Sequence, residues 1–490
     1  MFKSIIKPLK EQYDKDYPER SFWIDVYTRV LDGEIYDHLE NPFHVEYNNV
    51  NEYIPVHKRI PSVIYGLPEI IVNDSVSMLF SESHFPQVDC NDEILRETLQ
   101  DIIKESKLNK VMIEAARTGS VGSVAILMQV LRNRVFFKVL STQYLTPEFD
   151  REAPDTLVRV VEKYKVRGYS LREVGYSIKS SELNSWHWFQ RDWDAISENV
   201  YFPWLCSDEE AAPVLDESKS TRHELGFVPI VWIKNLPGGK GCDGRCTFKS
   251  AIDIAIEIDY QLSMAGRALK YSADPKLVIK NPANPNQAIE GSGNALIVQT
   301  DGGAELLEIN GKAADAVIQY VRALRELGLE TVRGNRVNVD KIAAAQSGRA
   351  MEIMNQALVW LADELRIGYG ECGLLDLLKM IVKASKKIKI QVDGSAIPEL
   401  NEKEKITLRW PDWYPPTADD KQKDASTIVT LSNNKLISKE TGVKVISKDY
   451  DIEEVQKELQ QIDADAKKEA ETQPKVINNR VDTQRSKSDD

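Results

Sequence analysis

Two amphipathic stretches separated by a β-prone insert limit what this chain can fold into more than any other feature. Between Phe248 and Val332 the sequence reads helix, β-rich insert, helix. The first arm, Phe248 to Ser272, repeats Ile252, Ala255, Ile256, Leu262 and Leu269 at helical spacing. A helix of that length spans roughly 38 Å. Asp274-Pro275 ends it, because proline cannot donate and crowds the residue before it. The insert holds three β-like runs: Leu277 to Ile279, Ala295 to Val298, and Glu305 to Ile309. Asn281-Pro282, Asn284-Pro285, Gly291-Ser292-Gly293 and Asp301-Gly302-Gly303 supply the turns between them. The second arm runs from about Lys312 to Val332, with Ala314, Val317, Ile318, Val321 and Leu324 as its apolar stripe. Two long arms on a compact insert cannot bury both stripes against each other alone. The pattern therefore predicts arms that project from the body and pack against copies of themselves, with Ile252, Ile256, Val317 and Val321 as stem-packing positions.

At 490 residues the chain has room for several domains with their own cores. Its formal net charge of −13 argues against a broad basic surface that grips nucleic acid. It leaves open a protein past which nucleic acid slides. The N-terminal stretch is too charged for a signal peptide, and no run approaches the ~18 apolar residues of a membrane span. Assembly in the cytoplasm, with no membrane, is expected. The five cysteines are odd in number and scattered except for Cys242 and Cys246, so a disulfide framework is not expected. Cys242-x3-Cys246 is half a zinc site with no second close pair, so neither metal nor cofactor is expected.

Tyr17 to Leu31, Ile70 to Phe80, Asn91 to Ser106 and Lys107 to Arg117 read as helices, and Asp92 belongs to a first turn. Gly119 and Gly122 break the pattern, and from Val124 the sequence turns β-like. Thr142 to Asp150 reads as a loop around Pro147, and Thr156 to Tyr169, Tyr176 to Ile178 and Trp186 to Phe189 as strands. The β-rich block ends near Trp232, and Leu236-Pro237-Gly238-Gly239 reads as a flexible linker. Beyond the second arm, Arg333 to Gln346 is a loop of small and polar residues, and Ser347 is placed to cap the longest helical region. Met351, Met354, Leu358, Leu361 and Leu365 form a heptad-like seam. A kink is expected at Gly368, Gly370 and Gly373. Lys386 to Val392 and Ile406 to Trp410 read as returning strands. The C-terminal part is helical, with capping patterns at Thr417/Asp420, Ser438 and Asp451/Glu454, and disorder is expected beyond about Lys467.

Catalytic motifs are not apparent. Gly238-Gly239-Lys240-Gly241 lacks the spacing of a phosphate loop, and the six histidines show no metal-binding spacing. No G-x-S-x-G elbow occurs. The aromatics Trp186, Trp188, Phe189, Trp193, Tyr201, Phe202 and Trp204 are dense. Base stacking is conceivable there, but without interleaved basic residues a packed sheet face is the better reading. Arg333, Arg336 and Lys341 put limited positive charge in a loop between two long helices.

The order of these pieces resembles the portal proteins of tailed bacteriophages, the group typified by long-tailed phages of Gram-positive hosts. IIVNDSVSMLFSE followed by a short acidic helix, the Gly119-to-Gly122 approach to the strands, and TQYLTPEFD resemble that family's wing. The helix, β insert and helix resemble stem, clip and stem. SGRAMEIMNQALVWLADEL resembles the long helix after the tunnel loop. LRWPDWYPPTADDKQKDASTIVTLSNNKLISKET, with Ile437, Ser438, Glu440 and Thr441, resembles the return strand and the helices that follow it. The resemblance runs from about Ile70 to Glu458; residues 1–60 carry no matching motif.

The resemblance implies an α+β portal fold assembled as a ring. Its parts would be a wing at 61–247 and 347–415, stem helices at 248–272 and 312–332, a clip at 273–311, a tunnel loop at 333–346, a helical crown at 416–466 and a tail at 467–490. It implies a dodecameric ring at one capsid vertex that passes double-stranded DNA during packaging and ejection and hydrolyses nothing itself. The partners would be the terminase, the head-completion (adaptor) protein, and the major capsid and scaffold proteins; the location would be the virion, and the host cytoplasm during assembly. Lys341, then Arg336, Arg333, Asn335 and Asn338, would line the channel, although Arg333 is also placed to cap the preceding helix. Asn284, Asn286 and Gly291 would dock the terminase or the head-completion protein. A packaging enzyme (ATPase or nuclease) and a non-channel minor head or scaffold protein are the competing readings.

Overall fold

An unbroken apolar run such as Val124 to Met128 cannot alternate between core and solvent, so its strand must be covered on both faces. The computed structural model bears this out and describes residues 1–208, 210–273, 276–282, 298–307, 312–333, 351–353, 355–414, 418–447 and 455–472. The chain forms two units, Met1–Arg336 with Asn355–Trp413, and Val337–Met354 with Tyr414–Asp490. Helices and mostly antiparallel strands coexist, an α+β architecture as expected.

The first unit opens with α1 (Phe2–Gln12) and α2 (Glu19–Asp32). The short strands β1 (Asn41–Pro42) and β2 (Arg59–Ile60) pair with each other in parallel. Then come α3 (Leu67–Phe80), β3 (Gln87–Asp89), α4 (Glu93–Glu105) and α5 (Leu108–Gly119). Asp92 lies one residue before α4 rather than in its first turn, and its side chain accepts from Leu95 N at 3.1 Å. Such a cap contributes on the order of 1 kcal/mol.

The central strands are β4 (Ser123–Leu131), β5 (Arg134–Ser141) and, from far along the chain, β12 (Ile230–Lys234), in the order β12-β4-β5. Between them in sequence lie β6 (Leu145–Phe149), β7 (Leu157–Arg167), α6 (Gly168–Glu173), β8 (Trp186–Trp193), β9 (Ser197–Val200), β10 (Trp204–Leu205) and β11 (Thr221–Arg222). These strands form the second sheet, ordered β11-β9-β8-β7-β6 with β10 on β8. Ala125, Leu127, Val160, Trp193, Ile230 and Trp232 fill the core between the two sheets. The opposite face of β4 packs on α5. Pro147 sits in the edge strand β6, not in a loop, because an edge tolerates a missing N–H. Tyr176 to Ile178 is not a strand; the chain leaves the sheet through α6.

The stretch expected to be a flexible linker is a fixed turn. Arg20 reaches from α2 to grip both carboxylate oxygens of Asp243, at 2.8 and 2.7 Å, and donates to the carbonyls of Thr142 and Leu145. A Cβ on Gly239 would lie 2.0 Å from the Asp243 carbonyl oxygen, so only glycine fits that close approach.

Next come α7 (Ile252–Ala273), the hairpin β13 (Lys276–Pro282) and β14 (Val298–Leu307), and α8 (Lys312–Thr331). The long helical region is α9 (Gln356–Leu365), a π-helical stretch Arg366–Leu374, and α10 (Leu375–Ser385). The expected kink is thus a π segment, a common cause of helix bending. A Cβ on Gly370 would meet the Trp410 ring at 2.4 Å, which explains one of its glycines. Short strands β15 (Gln391–Val392), β16 (Ser395–Ala396) and β17 (Thr407–Arg409) follow, and β17 pairs with β3.

The second unit contains α11 (Ala418–Asn433), α12 (Lys439–Ile446) and α13 (Val455–Thr472). Ser438 caps α12 as expected, accepting from Thr441 N at 3.1 Å. α13 continues past Lys467, where disorder was expected. Ser347, Thr417, Asp451 and Glu454, expected at helix starts, lie outside the described residues.

The first turns of α7 are buried over a broad face, through Ile252, Ala255, Ile256, Ile258, Asp259 and Tyr260, while Asp253 is exposed. Residues 35–65 supply much of that cover. Tyr36 Oη donates to Asp259 Oδ2 at 2.8 Å and Tyr65 N to Oδ1 at 2.7 Å. Val63 N donates to Ser263 Oγ, and Tyr260 Oη to the Arg59 carbonyl. Burial raises the Asp259 carboxyl to about 6, with the two donors only partly offsetting it. A carboxyl raised in the folded state keeps its proton where the unfolded chain has lost it. Its contribution to stability is therefore greatest at low pH and falls as pH rises from about 4 to about 6. Asp259→Asn removes this titration. Relative to the parent, the variant is expected to gain about 2–3 kcal/mol on going from pH 4 to pH 8. Urea unfolding at the two pH values measures the difference, and an equal difference at both would mean that Asp259 titrates normally.

Candidate functional site

The candidate site is the antiparallel pair α7–α8, the hairpin between them and the chain that follows α8. Of the stem-packing positions, Ile252 and Ile256 are buried within one chain, Val321 is buried and Val317 half-buried. The arms do not project along their whole length. α7 leaves the body beyond Arg267, which still pairs with Glu46, although one face is already open at Met264; Leu269 further out is exposed. α8 mirrors it: Ile318, Tyr320 and Leu327 are exposed, while Leu329 and Val332 rejoin the core. The inner part of the stripe seen in sequence is therefore intrachain core, whereas its members Leu269 and Ile318 are uncovered together with Met264, Tyr320 and Leu327. Periodicity marks which residues share a face, not which neighbour covers it.

The β13–β14 hairpin runs in antiparallel register from Lys276↔Leu307 to Pro282↔Val298, with an irregularity between Lys280 and Pro282. Of the three β-like runs expected here, the described strands hold the first and most of the third. Asn284, Asn286 and Gly291 lie outside the described residues, as do Asn335, Arg336, Asn338 and Lys341.

Arg333 is the only one of the expected channel residues to be described. It has a left-handed backbone, φ 60°, at the end of α8, and its N–H donates to the Glu330 carbonyl at 3.1 Å. Its guanidinium donates to Glu364 Oε1 on α9 at 2.5 Å. Glu364, Ile367 and Gly368 line a cleft of about 310 Å³ together with the 234–244 turn.

α9 is apolar nearly all round. Leu358, Val359, Leu361, Ala362 and Leu365 face the core, yet Trp360 is 52% exposed and Ile367 63% exposed. A helix apolar on all sides needs cover on all sides. At the π segment Arg366 stacks 3.1 Å from the Trp413 ring centre and 4.6 Å from that of Trp410. Burial lowers its pKa to about 10, against the opposing pull of Asp363 and Asp412. The stack pins the segment at which the first unit ends.

The aromatic strands differ from expectation in one respect. The β7–β8 register places Lys165 opposite Trp188 and Arg167 opposite Trp186, and Arg191 lies between Phe189 and Trp193 on β8 itself, so basic residues do interleave with the aromatics, both across strands and along one. Lys163 Nζ lies 4.5 Å from the Trp188 ring centre and 5.5 Å from that of Trp204. A cavity of about 660 Å³ beside them is lined by Tyr17, Tyr144, Trp188, Trp204 and Asp208 among others. Most nearby cations are neutralised: Lys165 by Asp14 and Asp16, Arg191 by Glu162, and Arg159 by Asp192. That suits a packed, internally balanced sheet better than a surface for phosphates. Arg191 is visible among the aromatics in the linear sequence, but only the pairing register reveals Lys165 and Arg167 beside them.

The described cysteines are free thiols. Burial pushes Cys246 up to about 12, which keeps it protonated at neutral pH. Among the described residues no group of three or more His, Cys, Asp or Glu side chains could hold a metal ion, and no helix is long and apolar enough to cross a membrane.

No individual curated protein matches this chain. The family model described as "Phage portal protein, SPP1 Gp6-like" matches residues 6–472. The match extends the resemblance seen in sequence to both ends and takes in most of the N-terminal segment that braces α7. The chain belongs to the SPP1 Gp6-like family of phage portal proteins.

Proposed function

We propose that copies of this chain form a dodecameric ring at one capsid vertex, a channel through which double-stranded DNA is packaged and later ejected. The observation that carries this reading is the rooted helix pair. α7 and α8 are held by the body at one end and leave Met264, Leu269, Ile318, Tyr320 and Leu327 uncovered further out, in a chain of the portal family. A head-to-tail contact covers such residues in a neighbour and closes into a ring when each copy turns by a fixed angle. The pair is then the stem, packed through Ile252, Ile256, Val317 and Val321; the hairpin belongs to the clip, and 416–466 to the crown. Trp360 and Ile367 join the contact between neighbours.

In this assembly residues 333–346 line the channel. Lys341 and Arg336 touch phosphates, and Asn335 and Asn338 offer hydrogen bonds without charge. A few cations hold phosphate transiently, whereas a continuous basic wall would bind too tightly for sliding. The terminase and the head-completion protein dock at the turns around Asn284, Asn286 and Gly291, and the major capsid and scaffold proteins surround the wing. The role is structural, and the acidic surface supports it by repelling DNA elsewhere.

Negative-stain images of the purified chain test the assembly; a ring with a central hole is expected, and a monomer at all concentrations would sink the reading. Neighbouring residues of α9, one exposed and one buried, separate folding from assembly. Leu361→Ala is expected to cost about 2–5 kcal/mol in chain stability. Trp360→Asp should leave the isolated chain within about 0.5 kcal/mol of the parent and yet reduce the fraction in rings. Normal rings from Trp360→Asp would remove that face from the subunit contact. For the channel, cysteine at Asn338 should crosslink to DNA in stalled packaging complexes while cysteine at Asn286 does not. Equal crosslinking at both, or none at Asn338, would move the loop out of the channel.

A further inference from the structure

We propose that Arg333 is a positioning residue: with Glu364 it staples together the two chain segments that flank residues 334–350, and it does not contact DNA. The inference rests on the reading of 333–346 as the channel loop and reassigns one of its cations.

Three observations carry it. Arg333 adopts φ 60°, although the next residue, Gly334, could take a left-handed conformation without strain. A non-glycine residue held there costs on the order of 1 kcal/mol or more and persists where the surroundings fix it. The surroundings do fix it. Leu329 and Val332 are buried just before it, and the N–H groups of Val332 and Arg333 close the helix end on Leu329 and Glu330. The acceptor is equally fixed, because Leu361 and Leu365 on either side of Glu364 are buried.

Magnitude decides the role. The side chains of the pair are 52% and 34% exposed. An ion pair that open contributes about 0–1 kcal/mol, no more than the backbone conformation costs. Net stability therefore does not account for the arrangement. What the pair does supply is geometry: a bond between the end of α8 and the last turn of α9, joining the chain before residues 334–350 to the chain after them. An arginine already bonded to a carboxylate also presents little net charge to a passing phosphate. Arg336 and Lys341 are then the cations of the loop that meet DNA.

Charge exchange tests this in the full-length chain. Arg333→Glu and Glu364→Arg each oppose like charges, and the double exchange restores an opposite pair. Hydrogen exchange over residues 334–350 is expected to speed up several-fold in each single variant and return to the parental rate in the double, with the melting temperature and ring formation unchanged throughout. DNA packaged per head should fall in the singles and recover in the double, the pattern of a coupled pair in a double-mutant cycle. Parental exchange rates in both singles would overturn the staple. A double variant as defective in packaging as Arg333→Glu alone would also overturn it, since the arginine itself would then be needed at the DNA. Altered exchange with parental packaging in every variant would keep the staple and instead refute the channel role of the loop.

Discussion

The burial of the first turns of α7 is the constraint on which the candidate site depends. A helix that enters solvent halfway along needs a root that cannot rotate or slide. Here the root is built from Ile252, Ile256, Ile258 and Tyr260 on its several faces. Hydrophobic burial alone is non-directional and would tolerate small rotations. The hydrogen bonds that Asp259 and Ser263 accept from residues 36, 65 and 63, and that Tyr260 donates to the Arg59 carbonyl, are directional, and they fix the helix about its axis. A buried carboxylate is a costly device, since its charged form loses solvation. Its retention at this point suits a requirement for orientation more than for stability.

Much of the fold could be read from the sequence because its signals are local. The apolar spacing of α2, α3 and α7, the capping serine at 438 and the glycine interruption in the long helix each act within a few residues. The failures share a physical cause. Pro147 reads as a loop breaker until β6 is known to be an edge strand. Lys163, Lys165 and Arg167 become neighbours of tryptophans only through the β7–β8 register. The glycine-rich turn looks flexible until Arg20, more than two hundred residues away, closes on Asp243. The arm stripe expected at contacts between copies divides in the structure, with Ile252 and Ile256 covered within one chain and Leu269 and Ile318 uncovered, because periodicity treats Ile256 and Trp360 as equally apolar. Only the folded chain tells the covered residue from the uncovered one.

The composition also reads differently once partners are visible. A net charge of −13 suggests acidic surface throughout, but the cations are not spare. Arg20, Arg159, Lys165 and Arg191 each meet carboxylates inside the β-rich region. Arg366 is spent on two indoles. Positive charge in this region is used to join elements, and Arg333 follows the same habit at the end of α8. A channel through such a protein has few places where phosphate is attracted. That suits the proposed channel, past which DNA would move in both directions.

The hairpin between the arms sets a further condition. Two antiparallel strands alone are marginal in water, because one pairing yields too little burial to offset the ordering of the chain. In the ring proposed above, strands of adjacent copies would stand side by side, and an open strand edge is a template for pairing. The hairpin would then gain stability from assembly rather than bring stability to it. In that ring the body and the root of the stem would form within one chain, the outer stem faces would bring copies together, and the clip would be completed last. A docking surface completed only in the finished ring would distinguish assembled portals from single chains, so that partners engage rings alone.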